Sequence, residues 1–298
     1  MKLLVTGRDG QLARSLAEVA AAGSDRELSF AARPEVDLAV PGSLARAITE
    51  HRADVVVNAA AYTAVDRTES EPELAFRINA DAAAEAAKAA NAVGSRLIHI
   101  STDYVFPGTA RHPILEDGEV QPVNAYGASK LAGERGVLAA CPGALVVRTS
   151  WLVSPFGTNF VKTMLRLAAE RDEVRVVADQ LGSPTEARDL ARALLALIRG
   201  WLAEGPEAPG GTYHLTGAGQ TTWAGLAERV MAASAAVGGP AVPVRAITTA
   251  EFPTPARRPA YSVLDCGRAK ARFGVALPGW EASIDALVAR LVAEARPR

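Results

Sequence analysis

The chain has 298 residues, 49% of them apolar, and its 32 basic and 33 acidic side chains leave a net charge of −1. That is material for one large or two modest domains, burying roughly three quarters of the unfolded surface. Near-neutral charge without basic blocks argues against nucleic acid as the main partner, and no run reaches the roughly 20 apolar residues that span a bilayer.

Residues 2–7 (KLLVTG) read as a strand that starts almost at once, with no small-residue cleavage site, which predicts a cytoplasmic protein without a leader. A helix follows over 11–22. Residues 27–33 (ELSFAAR) read as a second strand before a helix near 42–51. Residues 54–58 (DVVVN) read as a third, before a long alanine-rich helix over 71–93. Residues 96–102 (RLIHIST) precede a helix that carries NAYGASKLAGE, 124–134, and residues 144–150 (ALVVRTS) follow it. Strands that are apolar throughout and alternate with helices imply a parallel sheet covered on both faces. After Ser150 helical stretches at 158–171, 186–203, 222–236 and 281–295 are separated by loops rich in proline and glycine. Two short strands, 174–177 and 212–215, are expected to extend the sheet. The expected fold is therefore α/β: a Rossmann-type doubly wound parallel sheet with a smaller, mostly helical, discontinuous C-terminal substrate lobe. The dinucleotide-binding domain takes 1–150, 173–180 and 211–216; the lobe takes 151–172, 181–210 and 217–298.

Gly7, Gly10 and Ala13 stand three apart at the first strand-to-helix junction. A glycine at the strand exit permits a tight turn, a second permits close approach of a pyrophosphate, and the helix N-terminus that follows faces the phosphates. Gln11 and Leu12 open that helix. The second strand ends in Arg33, where an acid would hold the ribose of NAD, and an arginine there suits the 2′-phosphate of NADP. The expected cofactor is NADPH, with NADH not excluded. Asp37 and Leu38, then Ala59, Ala60, Ala61, Tyr62 and Thr63, follow strand ends and line the same edge.

Tyr126 and Lys130 stand four apart and so share a helix face. Only five of the 32 basic residues are lysines. A compact ammonium beside a phenol favours phenolate and lowers its pKa, and arginine's rigid fork does not substitute freely. Ser101 and Thr102, ending the preceding strand, place hydroxyls where one can hydrogen-bond a substrate carbonyl. Cys141 and Cys266 are isolated and read as free thiols; His51, His99, His112 and His214 have no acidic or metal-ligand constellation and read as structural.

The glycine turn, NAAAYTAVDRTESEPELAFRIN, STDYVFPG, NAYGASKLAGE, VVRTSWL, NFVKTML, DQLGSPT and YHLTGAGQTTW occur in this order. Together they resemble the dTDP-4-dehydrorhamnose reductases of the extended short-chain dehydrogenase/reductase superfamily, from residue 1 to about 280. Related dehydratases continue the strand-end motif with Asp-Glu; here Asp103 is followed by Tyr104, which fits simple reduction. The resemblance implies reduction of the 4-keto group of dTDP-6-deoxy-L-lyxo-4-hexulose to dTDP-L-rhamnose. It makes Tyr126 the acid, Lys130 its tuner and the holder of the ribose, and Thr102 the group that polarises the carbonyl. Asp103 and Trp151 are expected on the sugar nucleotide, and Arg257 and Arg258 near its pyrophosphate. Some members hold magnesium between subunits through glutamates whose positions match Ser15 and Arg188, so no metal site is expected and a monomer or weak homodimer is. The superfamily also contains reductases of other 4-keto-deoxysugar nucleotides and non-catalytic NADP-binding subunits, but the latter often lose the hydroxyl–tyrosine–lysine set that this chain keeps.

Overall fold

The computed structural model describes residues 1–21 and 26–295. Residue 22, the expected end of the first helix, and residues 296–298 of the expected lobe lie outside them. In chain order the main elements are β1 (Lys2–Thr6), α1 (Gln11–Ala21), β2 (Glu27–Ala31), α2 (Ser43–His51), β3 (Val55–Asn58), α3 (Ala82–Val93), β4 (Arg96–Thr102) and α4 (Ala125–Ala140). They continue with β5 (Leu145–Thr149), α5 (Phe160–Glu170), α6 (Ala187–Ala203), β6 (Gly211–His214), α7 (Trp223–Ala236) and α8 (Trp280–Ala295).

The six strands form one sheet in the order β6-β5-β4-β3-β1-β2, and every pairing in it is parallel. The chain passes from β1 to β2 on one side, then crosses to β3 on the other, so the loops leaving β1 and β3 diverge and open a crevice between them. Alternation along the strands feeds two separate cores. Leu3, Val5, Val55, Val57 and Ile98 face α1 and α6; Leu4, Val56, Leu97 and Val146 face α2, α3 and α4. The alanine richness has a packing reason on the second face, where Ala82, Ala83, Ala86, Ala87 and Ala90 are all buried. Small side chains let α3 sit close against both α2 and α4.

A third core belongs to the C-terminal lobe. Val161, Leu226, Val230, Ile284, Leu287 and Val288 pack α5, α7 and α8 around a small ribbon. That ribbon corrects one expectation: Val174–Val177 does not extend the main sheet but pairs in parallel with Val244–Ile247. Only the 211–214 strand joins the sheet, beside β5. The second correction concerns α6, which was expected in the lobe. Its Leu190, Leu194, Leu197 and Ile198 are buried in the core that α1 shares with the sheet. Its apolar stripe completes the layer that α1 alone is too short to cover.

The expected helix over 71–93 is three pieces: Pro72–Phe76, a π-helical turn Arg77–Asp81, and α3. The wider turn swings Asn79 into the interior, where it is 1% exposed. Short helices at Val65–Thr68 and Gly267–Phe273 add to the plan. Among the described residues no helix is long and apolar enough to cross a membrane.

Candidate active site

The crevice between the β1 and β3 loops is built from small residues. Gly7 has φ of +77°, and a Cβ there would come 3.2 Å from the Cβ of Ala60. Its N–H donates to the Ala31 carbonyl (2.8 Å), which folds the turn back over β2. A Cβ at Gly10 would meet nothing within 4 Å, so the chain leaves open space at the mouth of α1. Gln11 spends its side chain elsewhere: Nε2 donates to the Leu152 carbonyl (3.2 Å), and Oε1 accepts from Ser154 (2.8 Å) and Asn159 (3.0 Å). Leu12 is buried in the core. Both therefore offer only backbone to the crevice. Arg33 is exposed, while Arg8 and Arg14 line a cavity of about 560 Å³ with Asp9, Phe30 and Phe156. Asp37 is half-buried and accepts from the Ala39 N–H (2.9 Å); Leu38 is buried.

On the β3 side, Ala60 N–H donates to Thr6 Oγ1 (2.9 Å). Tyr62 is held through its backbone by Asn79, whose Oδ1 accepts from Tyr62 N–H (2.8 Å) and whose Nδ2 donates to the Tyr62 carbonyl (3.1 Å). The Tyr62 phenol turns away to Glu71, which Arg67 also binds. Ala59 and Ala61 are half-buried and Thr63 is exposed.

The helix α4 brings Tyr126 to the end of β4. Asn124 caps it, Oδ1 accepting from Gly127 N–H (2.8 Å), and Glu69 Oε1 accepts from Ala125 N–H (2.7 Å). A Cβ at Gly127 would lie 2.1 Å from the Tyr104 carbonyl oxygen, so only glycine lets the helix settle this close. Tyr104 meets Tyr126 edge-on, with centroids 5.6 Å apart and planes at 77°.

Of the two strand-end hydroxyls, it is Thr102 that meets the phenol. Burial pushes Tyr126 up to about 12, the hydrogen bond to Thr102 opposes this, and the Asp103 charge adds to it. Thr102 Oγ1 also donates to Asp103 Oδ1 (3.0 Å). Asp103 is 2% exposed, and burial raises it to about 6 against the hydroxyls of Ser262 and Thr102. Ser101 is also buried, and its hydroxyl has no hydrogen-bond partner among the described residues.

Here the expected tuning is corrected. Lys130 is not among the groups that shift Tyr126, and the phenol is raised rather than lowered. Lys130 Nζ donates instead to the Ile100 carbonyl (2.7 Å) and stands 3.4 Å from His99 Nε2. Burial lowers Lys130 to about 8, with Glu134 opposing. The lysine is anchored to the floor of the site.

The walls come from the lobe. Trp151, at φ +46°, stacks on Trp223 with centroids 3.6 Å apart and planes at 6°. A Cβ at Gly182 would come 2.4 Å from the Trp151 ring. A cavity of about 480 Å³ is lined by Arg257, Arg258, Gln180, Asp179 and Thr249 among others. Arg257 is exposed. Arg258 is engaged, its Nη2 lying 3.0 Å from both carboxylate oxygens of Asp66.

The chain matches the family model described as RmlD substrate binding domain over residues 1–293. It is 44% identical over 296 residues to the dTDP-4-dehydrorhamnose reductase of Sinorhizobium fredii, covering 99% of each chain. It is 45% identical over 307 residues to that of Burkholderia thailandensis, covering 99% of this chain and 100% of the other. The chain belongs to the dTDP-4-dehydrorhamnose reductase family. Among solved members, the Clostridium acetobutylicum reductase superposes with a TM-score of 0.89 at 39% identity, covering 98% of this chain and 99% of that one. The Bacillus anthracis reductase, a complex with NADP, superposes with a TM-score of 0.87 at 35% identity, covering 96% and 98%.

Of the two positions that correspond to metal-binding glutamates in some members, one is occupied by a buried serine and the other by an arginine in an ion pair. Ser15 is buried inside α1, and Arg188 Nη1 donates to Glu18 (3.1 Å), which Arg290 also binds (2.8 Å). Sequence reasoning passed over the residues that hold the site in place: Asn79, Glu69, Asp66, Gly127, Gly182, Trp223 and His99. Two carried a signal. Asn79 is a polar residue inside an alanine-rich helical run, and Gly127 is a poor helix former placed in a helix next to its key tyrosine.

Proposed function

We propose that Tyr126, Thr102 and Lys130 carry out the reaction of this reductase, the NAD(P)H-dependent conversion of dTDP-4-dehydrorhamnose in dTDP-L-rhamnose biosynthesis. One observation carries the reading of the site: Tyr126 packs edge-on against Tyr104, whose N–H donates to Thr102 Oγ1 (3.2 Å), at the carboxyl end of β4 beside the switch point of the sheet. The bound nicotinamide supplies the hydride. The protein's own part is the proton. A phenol held at about 12 is protonated throughout the neutral range, which is the form a reduction consumes, and its proton passes to the carbonyl oxygen as negative charge develops there and makes that oxygen the stronger base. Thr102, whose single O–H points to Asp103, turns it to that oxygen as a second hydrogen bond, which strengthens as the charge forms. Lys130, one N–H spent on Ile100, keeps donors for the ribose and stays largely charged at neutral pH. We read Trp151 and Asp103 as sugar-nucleotide contacts.

The crevice fits a dinucleotide. The space at Gly10 and the small residues Ala59, Ala60 and Ala61 admit it, and the backbone N–H groups opening α1 are suited to phosphate. Arg8, Arg14 and Arg33, gathered at the exit of β2, support a preference for NADPH. We assign 1–149, 187–203 and 211–214 to cofactor binding and the rest chiefly to substrate. We read the protein as cytoplasmic and as a monomer or weak homodimer without a shared metal, because Arg188 satisfies Glu18 within one chain. The direct test is NADPH consumption with dTDP-4-dehydro-L-rhamnose. The expected product is dTDP-L-rhamnose at one equivalent per NADPH; no consumption, or a product of other C4 stereochemistry, contradicts the assignment.

A further inference from the structure

Under the carboxyl edge of the sheet, four polar side chains from β1, β3, β4 and α4 form one continuous chain. Thr6 Oγ1 donates to Asn58 Oδ1 (2.8 Å), Asn58 Nδ2 stands 3.0 Å from His99 Nδ1, and His99 Nε2 stands 3.4 Å from Lys130 Nζ. Thr6 and His99 are fully buried, and Asn58 and Lys130 are each 2% exposed. Burying polar groups costs stability unless each is paired, and an apolar core would hold these strands together as well. The far end of the chain reaches the crevice, because Thr6 Oγ1 also accepts from Ala60 N–H (2.9 Å).

The chain's chemistry follows from the one proton a neutral imidazole carries. Burial, and then the Lys130 charge, hold His99 well below its ordinary range, so it is neutral. As it stands, Asn58 Nδ2 donates to Nδ1 and leaves the imidazole proton on Nε2. Facing an ammonium, the ring must instead offer the Nε2 lone pair and carry its proton on Nδ1, and the Asn58 amide must then turn over, Oδ1 accepting from Nδ1 and Nδ2 donating to Thr6 Oγ1. The reverse polarity, Nε2–H toward Nζ, suits only a neutral amine. The chain thus has one polarity for each charge state of the lysine. The charged groups around α4 are paired elsewhere. Glu134, one turn along α4, is held by Arg148 of β5 (2.7 Å). On the segment and helix packed against α4, Arg77 pairs with Asp81 and Glu85, and Asp66 pairs with Arg258. Asp103 bonds Thr102 beside Tyr126.

We propose that His99 is a positioning residue for the reduction: its Nε2 accepts from the Lys130 ammonium and sets the pH at which that charge is lost, while Asn58 and Thr6 tie it to the turn that receives the cofactor. The proposal rests on the reading of Lys130 as the residue that holds the ribose.

The test uses two amides that satisfy opposite ends of the imidazole. In His99→Gln the side-chain oxygen reaches the place of Nε2 and still accepts from Lys130. In His99→Asn the shorter amide reaches only the place of Nδ1 and keeps the Asn58 bond alone. NADPH affinity, read from nicotinamide fluorescence across neutral to alkaline pH, gives the midpoint at which binding weakens. The wild-type midpoint is expected near the Lys130 value of about 8, and Lys130→Met is expected to bind weakly with no midpoint. His99→Asn should lower the midpoint by about one pH unit, the tenfold change that goes with loss of one hydrogen bond to a charged group. His99→Gln should leave it in place. Equal shifts in the two amides, no shift in either, or a shift only in His99→Gln overturns the proposal alone. A midpoint that survives in Lys130→Met overturns the reading of Lys130 and the proposal with it.

Discussion

Asp103 shows how a single residue of this site trades stability for position. Its carboxyl is raised from 3.8 to about 6 because burial disfavours the charge more than Ser262 and Thr102 favour it. A raised acid binds its proton more readily in the folded protein. Its cost is therefore absent below about pH 4, grows as pH rises through 6, and is full at neutrality. About two pH units correspond to roughly 3 kcal/mol. Asp103→Asn keeps the shape without the charge and is expected to be more stable than wild type by up to about that amount at pH 7. The gain should vanish at pH 4, as followed by urea denaturation at both pH values, while turnover falls. A gain equal at both pH values would contradict this. Residue identity was legible here and residue environment was not: STDY marks Asp103 in the sequence, but its burial is a product of the fold, and the hydroxyl of Ser262 that opposes the shift comes from far along the chain. Lys130 teaches the same point. The four-residue spacing from Tyr126 placed both on one helix face, yet the ammonium reaches down to Ile100 and His99, an outcome set by strand contacts that helical spacing does not contain.

At the scale of elements, the parallel sheet was readable because its strands are short, apolar throughout and punctuated by helices. The π-helical turn at Arg77–Asp81 was not, since its hydrogen bonds reach only one residue further than those of an α-helix and it sits inside the alanine-rich run that reads as one helix. The ribbon of Val174–Val177 with Val244–Ile247 was hidden because its partner strand is largely exposed and lacks an apolar run. The lobe's aromatic wall depends on such distant contacts. Trp151 is pinned between Trp223, stacked on its face, and Gly182, against its edge. Gly182→Ala puts a methyl group 2.4 Å from the ring, which must move. The expected result is a KM for the sugar nucleotide raised about tenfold, the scale of one displaced aromatic contact, with NADPH affinity unchanged. Steady-state kinetics against fluorescence binding separates the two. An unchanged KM would remove Trp151 from the substrate wall.

Across the whole molecule, the two halves are joined at the site and not merely adjacent to it. Gln11 at the head of α1 binds Leu152, Ser154 and Asn159. Asp66 receives Arg258 and the Ala256 N–H, and Asn124, which caps the tyrosine helix, donates to the Arg257 carbonyl (2.8 Å). These ties fix the crevice, the phenol and the lobe as one unit. They also tie the segment that carries Arg257 and Arg258, which lines a cavity, to the cap of the helix that carries Tyr126. The proton donor at their meeting point decides the account. In Tyr126→Phe, single-turnover oxidation of bound NADPH by the keto-sugar nucleotide should slow by about a hundredfold or more, the range general acid catalysis supplies, while NADPH binds within about twofold of wild type. A variant that turns over within a few-fold of wild type would contradict the assignment of Tyr126 as the acid.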